Sequence, residues 1–81
     1  MNIEFKIITR GTMIVYYGNK KAIIQGEGIY EPLHFWAWTN SFTHWESPYE
    51  NIRITEKEKE EIIEYITKAS KEENQVKVIF D

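Results

Sequence analysis

Apolar and polar residues alternate from the start of the chain. Ile3, Phe5 and Ile7 interleave with Glu4 and Lys6, the period-two pattern of a strand with one buried face. Arg10-Gly11 interrupts the run, and a second alternating stretch occupies Thr12 to Tyr17, so the two read as a β-hairpin. Gly18-Asn19 then separates Tyr17 from Lys20–Gln25. A Gly-Asn pair tolerates the positive φ of a tight hairpin turn, which predicts a third antiparallel strand. Gly26-Glu27-Gly28 and Glu31-Pro32 break the pattern, and Leu33 to Trp38 resume it as a fourth strand.

No period survives between residues 39 and 54, where Asn40-Ser41, Ser47-Pro48 and Glu50-Asn51 are turn formers. This loop is unusually aromatic. Thr55 followed by Glu58 has the spacing of a capping box, which predicts a helix over 55–72. Ile62, Ile63, Ile66 and Ala69, with Tyr65 at the margin, form an apolar stripe that faces the sheet. Asn74 is suited to end the helix, and Val76, Val78 and Phe80 alternate with Gln75, Lys77 and Ile79 as a last strand. The expected fold is α+β: an antiparallel β-meander of four strands, one amphipathic helix packed on the sheet and a C-terminal strand, in the order ββββαβ. With no internal repeat and 81 residues, the expectation is a single α+β domain over 1–81.

Composition narrows the function. The absence of cysteine excludes a disulfide framework and a thiolate metal site, and two histidines without a third ligand at metal spacing predict no metal and no cofactor. Neither a signal-peptide pattern nor a membrane span is visible, which leads to the expectation of a cytoplasmic protein with no membrane partner. Charge is uneven. Residues 1–26 hold four cations against Glu4, whereas residues 27–81 hold twelve acids against six cations, within a net charge of −3. That bias suits a basic protein partner and disfavours nucleic acid.

Two features are candidates for binding. Tyr30, Phe35, Trp36, Trp38, Phe42, Trp45 and Tyr49 place seven of the twelve aromatics within twenty residues. Strand alternation sends Leu33, Phe35 and Ala37 to one face and His34, Trp36 and Trp38 to the other. The tryptophans either lie beneath the 39–54 loop or stand exposed as anchors for a partner. A stacking platform for single-stranded nucleic acid needs a cationic groove, yet no Lys or Arg occurs from Ala22 through Ile52, where Glu27, Glu31, Glu46 and Glu50 all fall. The second feature is the ridge Glu56, Glu60 and Glu64, either a solvated helix face or a row of carboxylates for a cationic protein. With Glu46 and Tyr49 of the aromatic loop, Trp36, Trp38 and this ridge make up the candidate partner-binding residues.

Catalytic arrangements are weak. His44-Trp45-Glu46 is the one plausible His-carboxylate grouping, Ser41, Ser47 and Ser70 sit in no nucleophile elbow, and no Gly-rich segment opens a helix. No catalytic residue is assigned, and the expectation is that the protein is not an enzyme.

The loop and the helix start carry a resemblance. Asn40-Ser41-Phe42, Trp45-Glu46-Ser47-Pro48 and Ile54-Thr55-Glu56-Lys57-Glu58-Lys59, together with Thr9-Arg10-Gly11-Thr12, Gly26-Glu27 and the closing Val76-Lys77-Val78-Ile79-Phe80-Asp81, resemble a family of small bacterial immunity proteins, immunity protein 74. Ser47-Pro48 departs from the two prolines that the resemblance leads one to expect after Trp45-Glu46. The resemblance implies an inhibitor that protects a bacterium from a polymorphic or contact-dependent growth-inhibition toxin. It would bind the toxin's C-terminal domain as a one-to-one heterodimer. It implies no catalytic residues. The acidic bias points to a cationic toxin such as a nuclease. A structural or regulatory domain with a small-molecule pocket lined by the tryptophans is the competing reading.

Overall fold

A computed structural model of the chain describes residues 2–30, 33–72 and 76–81, with side chains for 2–29, 34–70 and 76–81. Five strands lie side by side in sequence order: β1 (Ile3–Thr9), β2 (Thr12–Tyr17), β3 (Lys20–Tyr30), β4 (Leu33–Ala37) and β5 (Lys77–Phe80). Helix α1 (Glu56–Glu72) enters between β4 and β5, and a single 3-10 turn occupies Thr39–Ser41. The fold is α+β, as the alternation predicts, but its sheet is mixed and curled. The first three pairings are antiparallel, whereas β5 lies parallel to β4, with Phe35 opposite Val78 and Ala37 opposite Phe80. The loop and α1 together form a crossover, which returns the chain to the end of the sheet where β4 began.

The third strand also departs from the sequence reading. It does not stop at Gln25 but continues through Gly26 and Gly28 to Tyr30, exchanging one neighbour for another on the way. Residues 20–25 pair with β2, and residues 26–30 pair with β4. The glycines permit this because other chain segments press against them. A Cβ on Gly26 would strike the Trp36 carbonyl oxygen and the Phe35 ring, and one on Gly28 would crowd Arg10. Gly26 N donates to Gly11 O at 3.0 Å and Gly28 N to Arg10 O at 2.6 Å, so the first hairpin turn seals the flank that β2 leaves open. A glycine that admits a close neighbour looks, in sequence, like one that ends a strand. Gly18 has φ 62°, the left-handed geometry that the second turn requires. The Glu31-Pro32 break and the Asn74 helix stop lie outside the described residues.

One face of the sheet receives the helix. Met13, Val15, Ala22, Ile24, Phe35, Ala37 and Val78 bury their side chains there, together with Ile62 and Ile66 of α1. Ile63 and Phe5 are half-buried at the margin of the same core. The capping box forms as predicted: Thr55 N donates to Glu58 Oε1 at 2.9 Å, and Glu58 N donates to Thr55 Oγ1 at 3.1 Å. Ser70, buried near the other end of α1, gives its hydroxyl to Thr67 O at 3.1 Å and accepts Val78 N at 3.2 Å. A backbone donor of edge strand β5 is thereby satisfied by the helix.

The 39–54 segment is more ordered than turn-rich sequence suggests. Trp38 N donates to Gln25 O at 2.9 Å, Ser41 Oγ accepts Gln25 N at 2.9 Å, and Glu46 N donates to Lys21 O at 2.8 Å, so the loop runs along β3 opposite β2. It then doubles back, with Ile54 N donating to Thr43 O at 2.8 Å and His44 bridging Arg53. Phe42, Trp45 and Ile54 point from this hairpin into the core. Their burial explains how a segment rich in turn residues holds one shape.

Candidate partner-binding surfaces

The alternation that buries Phe35 and Ala37 turns Trp36 and Trp38 outward, where they are 40% and 44% exposed. The loop does not cover them. Of the two readings of these tryptophans, exposure is the one the structure shows. Register extends the surface around them. Trp36 lies between Glu27 on β3 and Ile79 on β5, and its ring centre is 6.2 Å from that of His34. Beyond Ala37, Thr39 N and Oγ1 both reach Asp81 O, at 3.2 and 2.7 Å, which brings Asp81 beside the end of β4. Two indoles therefore sit on the helix-free face, close to the exposed Glu27 and Asp81.

Ile79 is the neighbour that sequence reasoning missed. Its parity along β5 places it with Lys77, but only the parallel β4–β5 register sets it next to Trp36. Alternation fixes a side chain's face without naming the strand beside it.

The acidic ridge is elsewhere. Glu56, Glu60 and Glu64 are all exposed on the side of α1 turned away from Ile62 and Ile66. Because α1 covers the inner face of the sheet and the tryptophans leave the outer one, the two candidate features lie on opposite sides of the molecule. A typical interface takes about 800 Å² from each partner, too little to wrap around both.

Glu46 and Tyr49 form a third location, at the turn between β2 and β3. Both are half-buried. Tyr49 Oη accepts Asn19 Nδ2 at 3.1 Å, and Lys20 Nζ lies 5.7 Å from the centre of its ring and 5.6 Å from that of Trp45. Lys21, whose carbonyl holds Glu46, is six residues along β3 from Glu27, or about 20 Å of strand. Five of the seven candidate residues thus fall on exposed faces, and the other two help fasten the loop.

Trp45 is a structural residue. It is 1% exposed, its ring lies 5.5 Å from that of Tyr17, and its Nε1 has no hydrogen-bond partner among the described residues. His44, beside it, is exposed, with Nδ1 at 3.0 Å from Thr43 Oγ1. Among the described residues no group of three or more His, Cys, Asp or Glu side chains could hold a metal ion. A cavity of about 220 Å³ lies between Ile7, Gly28, Ile29 and Phe35, and a more polar one of about 450 Å³ between Ile23, Thr43 and Glu50. Trp45 lines the second in part, whereas neither is lined by Trp36 or Trp38. No described helix is long and apolar enough to cross a membrane.

These features define a small α+β protein that displays aromatic and acidic side chains outward. The chain belongs to the immunity protein 74 family, whose model matches residues 6–81. Comparison with curated proteins gives no match, and comparison with solved structures gives none.

Proposed function

We propose that this protein neutralises a cognate bacterial toxin by binding the toxin's C-terminal domain directly, as a one-to-one complex in the cytoplasm, with no catalytic step of its own. Membership of the immunity protein 74 family over residues 6–81 carries the reading. The toxin belongs to a polymorphic or contact-dependent growth-inhibition system, and a nuclease is the activity that fits the charge best. A protein that grips nucleic acid presents cations, and this chain holds twelve of its acids after residue 26.

Trp36 and Trp38 are the proposed anchors, since half-exposed indoles, one on β4 and one just past its end, give large contact area at little entropic cost. Glu27 and Asp81 beside them suit a cationic rim. Glu56, Glu60 and Glu64 contribute a field that speeds the encounter, and Glu46 and Tyr49 add contacts should the toxin extend towards the β2–β3 turn.

Co-expression with the toxin domain encoded next to its gene tests the proposal. The expected result is survival of cells that the toxin alone kills, and a one-to-one complex on gel filtration. Death of the co-expressing cells with no complex formed would remove the immunity reading.

A further inference from the structure

Strand β1 ends the sheet, and its hydrogen-bond phase can be read from one bond beyond its first residue. Gly18 N donates to Asn2 O at 2.9 Å. Continuing the register Ile3↔Tyr17 and Glu4↔Tyr16 back by one residue sets Asn2 opposite Gly18. Asn2 and Gly18 are therefore a hydrogen-bonded pair, as are Glu4 with Tyr16 and Lys6 with Ile14, two and four residues on. The N–H and C=O groups of Ile3, Phe5 and Ile7 consequently point away from β2, towards an edge that no described strand pairs with.

This edge is self-complementary. We propose that two copies of the chain join antiparallel through β1, with the two-fold axis at Phe5, to make one continuous ten-stranded sheet. The axis pairs residues whose numbers sum to ten. Ile3 then meets Ile7 of the second copy and Phe5 meets its own equivalent, the odd residues whose backbone groups already face outward. Glu4 meets Lys6 of the second copy, twice. Those two are exposed on the helix-free face, and they fall at non-hydrogen-bonded positions, where side chains approach most closely and opposite charges help. Shifting the register by one residue would pair inward groups with outward ones. Shifting it by two would leave both Glu4 residues without Lys6 opposite.

Apolar surface is left along the same edge. Ile8 is 49% exposed and Tyr65 42%, and the Tyr65 ring stands edge-on to that of Phe5 at 6.5 Å. A second copy arriving at β1 would cover part of both. The tryptophans stand on β4 and just beyond it, three strands from β1 in the strand order, and although the curl of the sheet brings Ile7–Arg10 and His34 to one cavity, neither tryptophan lines it. The inference depends on the β1 edge alone and stands apart from the toxin proposal. A ribbon of five residues is a small contact, so association is concentration-dependent.

Sedimentation equilibrium over a concentration series tests it, using the free protein and the variants Glu4→Lys, Lys6→Glu and the double exchange. The wild type should shift from monomer to dimer. Each single reversal sets like charges opposite each other at two symmetric places and should weaken association about tenfold, and the double exchange should restore it. Far-UV circular dichroism checks that the variants remain folded. Amide exchange at Phe5 and Ile7 should slow as protein concentration rises. The proposal is overturned by a protein that stays monomeric throughout, by single reversals that leave the dimer unaltered, by a double exchange no better than either single, or by protection of the Phe5 amide that appears only with added toxin.

Discussion

Tyr17 of β2 donates its hydroxyl to Glu61 Oε1 at 3.0 Å, tying the sheet to α1 across forty-four residues of sequence. That hydrogen bond to the carboxylate, then burial, then the negative charges of Glu61 and Glu58 push the Tyr17 phenol above its ordinary value of 10.0. The folded state holds this proton more tightly than the unfolded chain does. The contribution to stability is therefore complete below about pH 10 and is lost as pH rises through the raised pKa. Wild type should exceed Tyr17→Phe in denaturation midpoint near neutrality, and the gap should close above about pH 10. A gap that stays constant across that range would show that the hydroxyl does not couple sheet to helix.

Trp45 fills the space between the loop and the core, and its indole N–H has no hydrogen-bond partner among the described residues. Trp45→Ala should cost about 3–5 kcal/mol and speed amide exchange between residues 43 and 54. Trp45→Phe should cost much less, because losing an unpaired buried donor recovers about 1–3 kcal/mol of desolvation. Equal losses in the two variants, measured by urea unfolding, would mean that the indole N–H finds a partner in solution.

Ile66 is fully buried between α1 and the sheet. Truncation to alanine should lower stability by about 2–5 kcal/mol, a large share of what a domain this size has. An unchanged midpoint would count against the helix packing through this stripe.

Gly26 supplies a test of the strand that changes partners. A methyl group there meets the Trp36 carbonyl, which is backbone and can yield only by opening the β3–β4 ladder. Gly26→Ala should therefore destabilise by about 1–3 kcal/mol, although alanine ordinarily suits a strand interior better than glycine does. Thermal unfolding beside a control at exposed Gly18, judged against the left-handed φ of that site, would separate crowding from backbone strain.

The same glycine marks where sequence stops informing the fold. Alternation placed β1, β2, β4 and β5 and the stripe Ile62–Ile66 placed the buried side of α1, because those signals are local and repeat at the period of the element. Strand partners are not local. The parallel seat of β5, the second half of β3 and the contact of Ile79 with the tryptophan face all depend on which segment arrives alongside. The loop was hidden for a related reason: its order comes from Phe42, Trp45 and Ile54 reaching the core, a property of depth that turn-forming neighbours conceal. Within the candidate site, parity alone gave the shared face of Trp36 and Trp38. Their exposure needed the path of the loop, and the separation of the acidic ridge needed the side of the sheet on which α1 packs.

That separation makes the two proposed binding features independently testable. The carboxylates of Glu56, Glu60 and Glu64 act at a distance, so reversing all three to Lys should slow association with a cationic toxin and flatten its dependence on salt. A charge-neutral change at the β2–β3 turn, such as Asn19→Gln, should leave both unaltered. Trp36→Ala or Trp38→Ala should instead act after docking. Losing a packed aromatic anchor costs about 2 kcal/mol or more, which appears as roughly thirtyfold faster dissociation with little change in the association rate. Stopped-flow binding at two ionic strengths, paired with survival of toxin-expressing cells, distinguishes these outcomes. Full protection and an unaltered association rate in the triple reversal would leave the ridge as a solvated helix face. Unaltered dissociation in both tryptophan variants would move the docking site off the helix-free face, even with toxin binding itself intact.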